Sequence, residues 1–302
     1  MKILRRIVVI IFGVLITVYP VCSQGQIRPA TTWSIDGYNR DILERETIDT
    51  ALVSVYYDFR FTLDTLHKKP VYDIYILDVG NSYSSFQSML ADKRDSLVYE
   101  ARRADKPYNF RRWLKEDQQT SCESYYFDYP KKGILTVSTL FTGQKSIQYI
   151  YEEPIPRMEW QLVDQEIEFM GFQCKKAITD FRGRQYEVWF TTEIPIRNGP
   201  WKFNGLPGLI LKAESTDGLF GFTAFSITRS ERRVLWICDR PKNIVKANRS
   251  DIMKLQNLRW SDPILLYQIL GASKVRYRIG NSTRTAEPGD IEYYYIPTLE
   301  LK

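Results

Sequence analysis

Five carboxylates gather in one stretch of this 302-residue chain: Asp180, Glu187, Glu193, Glu214 and Asp217. Asp and Glu can share general acid–base work when burial or a neighbouring like charge separates their pKa values. On strands, Glu187 and Glu193 would point to the same side because their separation is even. Two carboxylates on one exposed face make a solvated surface, and that is the expectation here. A nucleophile is harder to assemble. The chain has no G-x-S-x-G elbow, and its one histidine, His67, sits in the polar turn LHKKP, where a solvated loop residue is expected rather than a triad base. No CxxC, HxxxH or EF-hand spacing offers a metal site. The reading is therefore of no catalytic residue, no metal and no cofactor. A hydrolase working through carboxylates is the alternative.

The chain opens MKILRRIVVIIFGVLITVYPVCS, with Lys2, Arg5 and Arg6 ahead of an apolar run from Ile7 to Val18. A basic start, a short apolar segment and small residues describe a secretory signal peptide over residues 1–23, cleaved after Ser23 or Gly25. Cys22 raises lipidation as an alternative, but Tyr19, Pro20 and Val21 before it fit a lipoprotein processing site poorly. Removing the leader takes 42 basic residues to 39 against 36 acidic, a net charge of +3. That balance argues against a nucleic-acid partner, and the basic aromatic run KPYNFRRWLKEDQQ reads as a solvated face with an anchoring Trp. The location expected is exported: periplasmic or associated with the outer membrane. Three cysteines remain, Cys122, Cys174 and Cys238, enough for one disulfide among them with the pairing open.

Most of the chain must form strands. Val55, Tyr57, Phe59 and Phe61 alternate between Ala51 and Leu63, and VYDIYILDV (71–79) returns as the second strand of a hairpin. ESYYFDYP, GILTVSTLF and SIQYIYEEP read as a meander broken by turn residues, and further strands follow between residues 160 and 238. Helical spacing predicts a helix over 84–104, capped by Ser84 or Ser85. Two more helical pieces fall between 248 and 270, the second capped by Ser261 with Pro263 in its first turn and Gly271 as its stop. The fold class is β-rich (α+β): a large curved antiparallel sheet or meander with helices packed on it. Residues 24–302 read as a single domain.

Four blocks in order, WQL (160–162), GFQCKKA (171–177), YEVWFTTEIP (186–195) and GPWKFNGLPGLILKAES (199–215), resemble the GLPGLI family of exported proteins, found mainly in Bacteroidota. The resemblance covers residues 160–227. It implies export, a β-rich body and a setting among envelope proteins, often near outer-membrane TonB-dependent receptors, and it brings no activity with it.

The named motif holds no side chain able to do chemistry, but its turn residues are informative. Asn204-Gly205 suits positive backbone dihedrals, and Pro207-Gly208 suits the centre of a type II turn. Leu209, Ile210 and Leu211 then read as a strand buried on both faces. In the structural reading, paired turns launch that strand. In the binding reading, Gly205 and Gly208 let a ligand approach the backbone while Trp201 and Phe203 wall it in. In YEVWFT, Trp189 faces away from Tyr186, Val188 and Phe190, so one set is core and the other is a candidate binding face. These residues point to an exported envelope protein that binds a peptide, lipid or protein partner, without catalysis. A purely structural envelope component is a further alternative.

Overall fold

Alternation of apolar residues becomes paired strands through most of the chain. The computed structural model describes residues 7–12, 15–20, 31–35, 44–64, 69–104, 123–142, 146–231, 233–238, 244–271, 275–279, 282–286 and 299–300. In chain order the first strands are β1 (Ile7–Phe12), β2 (Leu15–Pro20), β3 (Thr31–Ile35), β4 (Glu44–Asp64), β5 (Lys69–Gly80) and β6 (Ser84–Ser88). Helix α1 (Met89–Arg103) follows, then β7 (Glu123–Phe127), β8 (Ile134–Thr142), β9 (Ser146–Pro154), β10 (Gln161–Phe169), β11 (Phe172–Phe181) and β12 (Arg184–Thr191). The rest is β13 (Leu209–Ser215), β14 (Phe220–Arg229), β15 (Arg233–Cys238), β16 (Ile244–Lys246), α2 (Arg249–Ser261), α3 (Pro263–Ile269), β17 (Val275–Ile279) and β18 (Ser282–Ala286). The fold class read from the sequence holds: a β-rich protein built on a large open sheet with few helices.

The chain divides into two compact units, one of residues 1–42, 139–151 and 239–296, the other of residues 43–138, 152–238 and 297–302. In the second unit the strands hydrogen-bond in the order β10-β11-β12-β13-β14-β4-β5-β6-β7, with β15 added on β4. Every described pairing among them is antiparallel. Two hairpins in this sheet are set by their turn residues. Met170-Gly171 and Arg182-Gly183 both have positive φ at both positions, which matches the right-handed twist of the strands they join. One face of the sheet is aromatic. Phe59 stacks on Phe222 at 4.4 Å, Tyr75 on Phe86 at 4.5 Å, and Phe86 meets Phe222 edge-on at 5.9 Å. Each ring buried this way contributes about 1.5–3 kcal/mol, so the alternation in β4 and β14 decides which face turns inward.

The helix predicted over 84–104 begins five residues late. Ser84–Ser88 is instead a fully buried strand lying between β5 and β7. Its backbone groups satisfy both neighbours, and that demand outweighs the helical spacing of Phe86 with Met89 and Leu90. The cap is Ser88, whose hydroxyl accepts from the Ala91 amide at 3.0 Å and donates to Asp73 at 2.9 Å.

In the first unit, β16 runs parallel to β9, a departure from the antiparallel pattern. A separate small sheet has the order β1-β2-β3-β17-β18. Helices α2 and α3 cover Phe141, with Leu266, Leu270, Leu255 and Leu258 packed around it. The start of α3 also differs from expectation. Asp262 rather than Ser261 is its cap, accepting from the Leu265 amide at 3.0 Å, while Pro263 and Gly271 occupy their expected positions. No helix among the described residues is long and apolar enough to cross a membrane.

Candidate functional site

The segment between β12 and β13 carries the GLPGLI motif and lies wholly in the second unit. It folds back on itself through an Asn198–Asn204 bridge, and the Gly205 amide donates to the Arg197 carbonyl at 3.1 Å. Trp201 and Phe203 go inward, 1% and 0% exposed. Trp201 meets Phe181, Tyr186 and Phe203 with ring centres 5.5, 5.7 and 5.2 Å apart, and Phe203 meets Tyr186 at 4.9 Å. Trp160 closes the cluster, its indole N–H donating to the Asn204 carbonyl at 2.9 Å. The Asn204 side-chain amide donates in turn to the carbonyls of Pro156 and Lys202. Trp201 and Phe203 are therefore an aromatic plug, with no face turned to solvent.

The two motif glycines are needed for different reasons. Gly205 has a φ of +93°, as the Asn-Gly reading predicted. Gly208 has no such φ. A Cβ there would lie 1.9 Å from the Thr191 carbonyl oxygen, so the position needs glycine for space rather than for a type II dihedral. Close approach of the Pro207-Gly208 backbone to the end of β12 starts β13 in register, and Leu209, Ile210 and Leu211 follow, buried as expected. The Tyr57 hydroxyl donates to the Ile210 carbonyl at 2.7 Å, and burial raises its pKa above the ordinary tyrosine value. The left-handed region of the motif also holds a residue the sequence did not announce: Trp201 has a φ of +55°. That strained backbone is held by the ring contacts on either side.

Next to the plug lies a closed ring of charge that sequence reading missed. Lys202, 1% exposed, places its ammonium 2.9 Å from Glu153 Oε1 and 2.6 Å from Glu300 Oε1. Arg182 takes the other oxygens, 2.5 Å to Glu153 Oε2 and 2.7 Å to Glu300 Oε2. Two cations and two anions thus alternate, and both oxygens of each carboxylate are engaged. Burial works against the charge on Arg182, but Glu153 and Glu300 outweigh it and hold its pKa above the ordinary value. The Tyr186 hydroxyl donates to the Leu299 carbonyl at 2.6 Å, and burial, with Glu300 adding, raises its pKa. Glu300 is buried and Glu153 largely covered, and the two carboxylates converge, yet both oxygens of each are taken by Lys202 and Arg182. The one local hint was a lysine lodged between two aromatics in PWKFN. Its partners lie 49 and more residues away, beyond any local pattern.

The opposite face of β12 is open. Glu187 and Trp189 point away from Tyr186, Val188 and Phe190, as the alternation predicted. Trp189 is half-buried between its register partners Lys176 and Lys212, with the Lys176 ammonium 5.8 Å from its ring centre. Glu187 pairs with Lys176 at 2.8 Å, and Glu214, opposite Glu187 in register, reaches Lys212 at 3.6 Å and Arg60 at 3.8 Å. Arg60 reaches Glu214 by lying over Gly221, where a Cβ would come within 3.2 Å of its guanidinium.

The remaining sequence candidates scatter. Glu193 lies past the end of β12 and accepts from the Gln173 amide at 2.8 Å, so it does not share a strand face with Glu187. Asp180 takes the Gln185 side chain at 3.3 Å, and Asp217 pairs with Arg184. Two buried carboxylates were not anticipated, Asp73 and Asp78, which take the hydroxyls of Ser88 and Ser54. Five residues apart on β5, they point to opposite faces. Cys174 is buried with its thiol free, pushed up to about 11 by burial and by the nearby Glu193 carboxylate. Cys122 and His67 lie outside the described residues, as does the side chain of Cys238. Among the described residues no group of three or more His, Cys, Asp and Glu is placed to hold a metal.

Taken together, the second unit is an open antiparallel sheet whose long β12–β13 connection plugs one face, while the other carries Trp189 among paired charged side chains. The chain belongs to the family described as N-glycanase peptide, N-terminal domain, of the PNGase F-II type, whose model matches residues 85–248. That range encloses all four motif blocks. No curated protein matches the chain. Solved structures of PNGF-II in space groups P21 and C2 are 15% and 16% identical to it, with TM-scores of 0.41 and 0.42, over 67% of this chain and 32% of theirs. The chain thus spans about a third of the length of the solved structures it matches.

Proposed function

We propose that this chain is an exported, non-catalytic binding module that holds glycan-bearing protein on the open face of its sheet. The observation that carries this reading is the surface around Trp189. A half-buried indole lies on rigid strands, flanked by Lys176, Lys212, Glu187 and Glu214, whose side chains are already paired and oriented. An aromatic face with polar groups beside it suits the apolar face and hydroxyl rim of a sugar, and ordered donors and acceptors lose little freedom on binding. The family description, which names an N-glycanase, supports a glycan-bearing ligand. The envelope setting implied by the GLPGLI resemblance supports a role beside outer-membrane transport or assembly proteins, TonB-dependent receptors among them. The carboxylates on this face are exposed and neutralised by cations, an arrangement suited to holding a ligand rather than to moving protons.

The test uses one N-glycosylated peptide and its glycan-free counterpart, with binding followed by calorimetry. The glycopeptide should bind, the bare peptide should bind at least about tenfold more weakly, and Trp189→Ala should remove the difference while leaving the fold intact. Equal binding of both peptides would overturn the glycan reading. Release of the glycan by the purified chain would overturn the non-catalytic one.

A further inference from the structure

Two strands of the open face carry an extra residue. Leu211 is the extra residue of β13, where the register passes from Trp189–Lys212 to Phe190–Ile210. Phe225 is the extra residue of β14, between Ala224 opposite Tyr57 and Ser226 opposite Tyr56. Such a bulge bends its strand and re-aims the side chains beside it. Here it leaves Phe225 46% exposed, its ring 6.1 Å from that of the half-buried Tyr56. This pair shares a face with Trp189. Trp189, Lys212, Thr223 and Asp58 are successive register partners across β12, β13, β14 and β4, and Tyr56 is two residues from Asp58. The Phe225 backbone is thus two strands across and two residues along from Trp189, about 12 Å away.

We propose that the Tyr56–Phe225 pair holds an apolar side chain of the polypeptide that bears the glycan, while Trp189 holds the sugar. This inference rests on the reading of Trp189 as the glycan-binding surface and names the second half of the same ligand. The neighbours of the two sites differ in the way that such a division requires. Trp189 has Lys176 and Lys212 in register on either side, both in ion pairs. Tyr56 has Ser226 and Ile76 in those places, with no charge in either. Paired charges beside a ring meet hydroxyl groups, whereas an aliphatic side chain needs only apolar area to cover. The Tyr56 and Phe225 rings are also tilted by 47° to one another, which makes a notch rather than a flat platform. The two sites lie on one continuous face, and a gap of about 12 Å is the span of three or four extended residues. One ligand reaches both when its apolar residue lies within that distance of the glycosylated asparagine.

Calorimetry on the full chain tests it. The probes are a glycosylated asparagine alone and an N-glycosylated peptide with leucine about three residues to either side of the asparagine. The same glycopeptide with serine for the leucines, and the leucine peptide without its glycan, complete the set. The leucine glycopeptide should bind about tenfold more tightly than the serine one, the effect of covering one aliphatic side chain. Phe225→Ala, a change at an exposed ring, should remove that difference and leave binding of the glycosylated asparagine as it was. Trp189→Ala should weaken every glycosylated probe. Equal binding of the leucine and serine glycopeptides would overturn the role of the pair and leave the Trp189 reading standing. A bare leucine peptide that binds as tightly as its glycosylated form, and is lost with Phe225→Ala, would overturn the glycan reading and keep the pair as a peptide site. Failure of every probe to bind would overturn both.

Discussion

Strand β12 presents two opposite environments one residue apart. Tyr186, Val188 and Phe190 face the side where Lys202 and Glu300 are buried and Arg182 and Glu153 are largely covered, while Glu187 and Trp189 lie on a face where the carboxylates of the ion pairs are partly exposed. The same chemistry has different weight on the two faces. Breaking the Lys202 pairs leaves a charge stranded in the interior, whereas in the outer pair the Glu187 carboxylate is partly exposed and screened. Order on the inner face therefore serves the fold, and the outer face is free to vary with a ligand.

That contrast can be broken most sharply at Lys202. Lys202→Ala should cost about 3–5 kcal/mol, read by denaturant unfolding, because it leaves Glu153 and Glu300 sharing one cation. A loss below about 1 kcal/mol would place the ring with the surface pairs. Next comes Gly208→Ala, expected at about 3 kcal/mol, the upper end of overpacking, because the new methyl meets backbone rather than a movable side chain. Gly205→Ala has open space, its nearest atom being Trp160 Nε1 at 3.8 Å, so only the left-handed φ costs, about 1–2 kcal/mol. The order of the two glycine variants distinguishes space from dihedral. On the outer face, Glu187→Ala should change stability by about 0–1 kcal/mol and lose even that in high salt.

The Cys174 thiol offers a probe that responds to pH. In a Cys122→Ser, Cys238→Ser background its alkylation in the native protein should accelerate only as pH approaches about 11, against the ordinary thiol value of 9.0 in the unfolded chain. The folded pKa is the raised one, so the associated stability is present below the unfolded value and is lost as pH rises through about 11. Native alkylation that follows the ordinary value would show that this part of the sheet opens to solvent.

Much of this architecture is legible locally. Period-two alternation located β4, β5 and β7 to β9. The all-apolar Leu209–Leu211 run gave a strand buried on both faces. Helix starts were harder. Ser84, Ser85 and Ser88 all have the right side chain for a cap, and only the pairing of Ser84–Ser88 with strands on both sides chooses the last. Trp201 and Phe203 were recognisable as the motif's large aromatics, but whether they faced a ligand or a core depended on Phe181, Tyr186 and Trp160 arriving around them.

By itself, then, the sequence determined what depends on neighbours within a few residues. Alternation selects faces, a glycine with positive φ makes a turn, and a buried aliphatic triplet makes a central strand. Tertiary structure decided what depends on distant groups. It showed that Gly208 serves closeness to Thr191 rather than a dihedral, and that Lys202 is a buried charge. It also brought Glu153 and Glu300, 29 and 118 residues from Arg182, to the same guanidinium. Burial and charge matching are properties of the space around a side chain, and chain folding brings that space together from segments whose order carries no record of it.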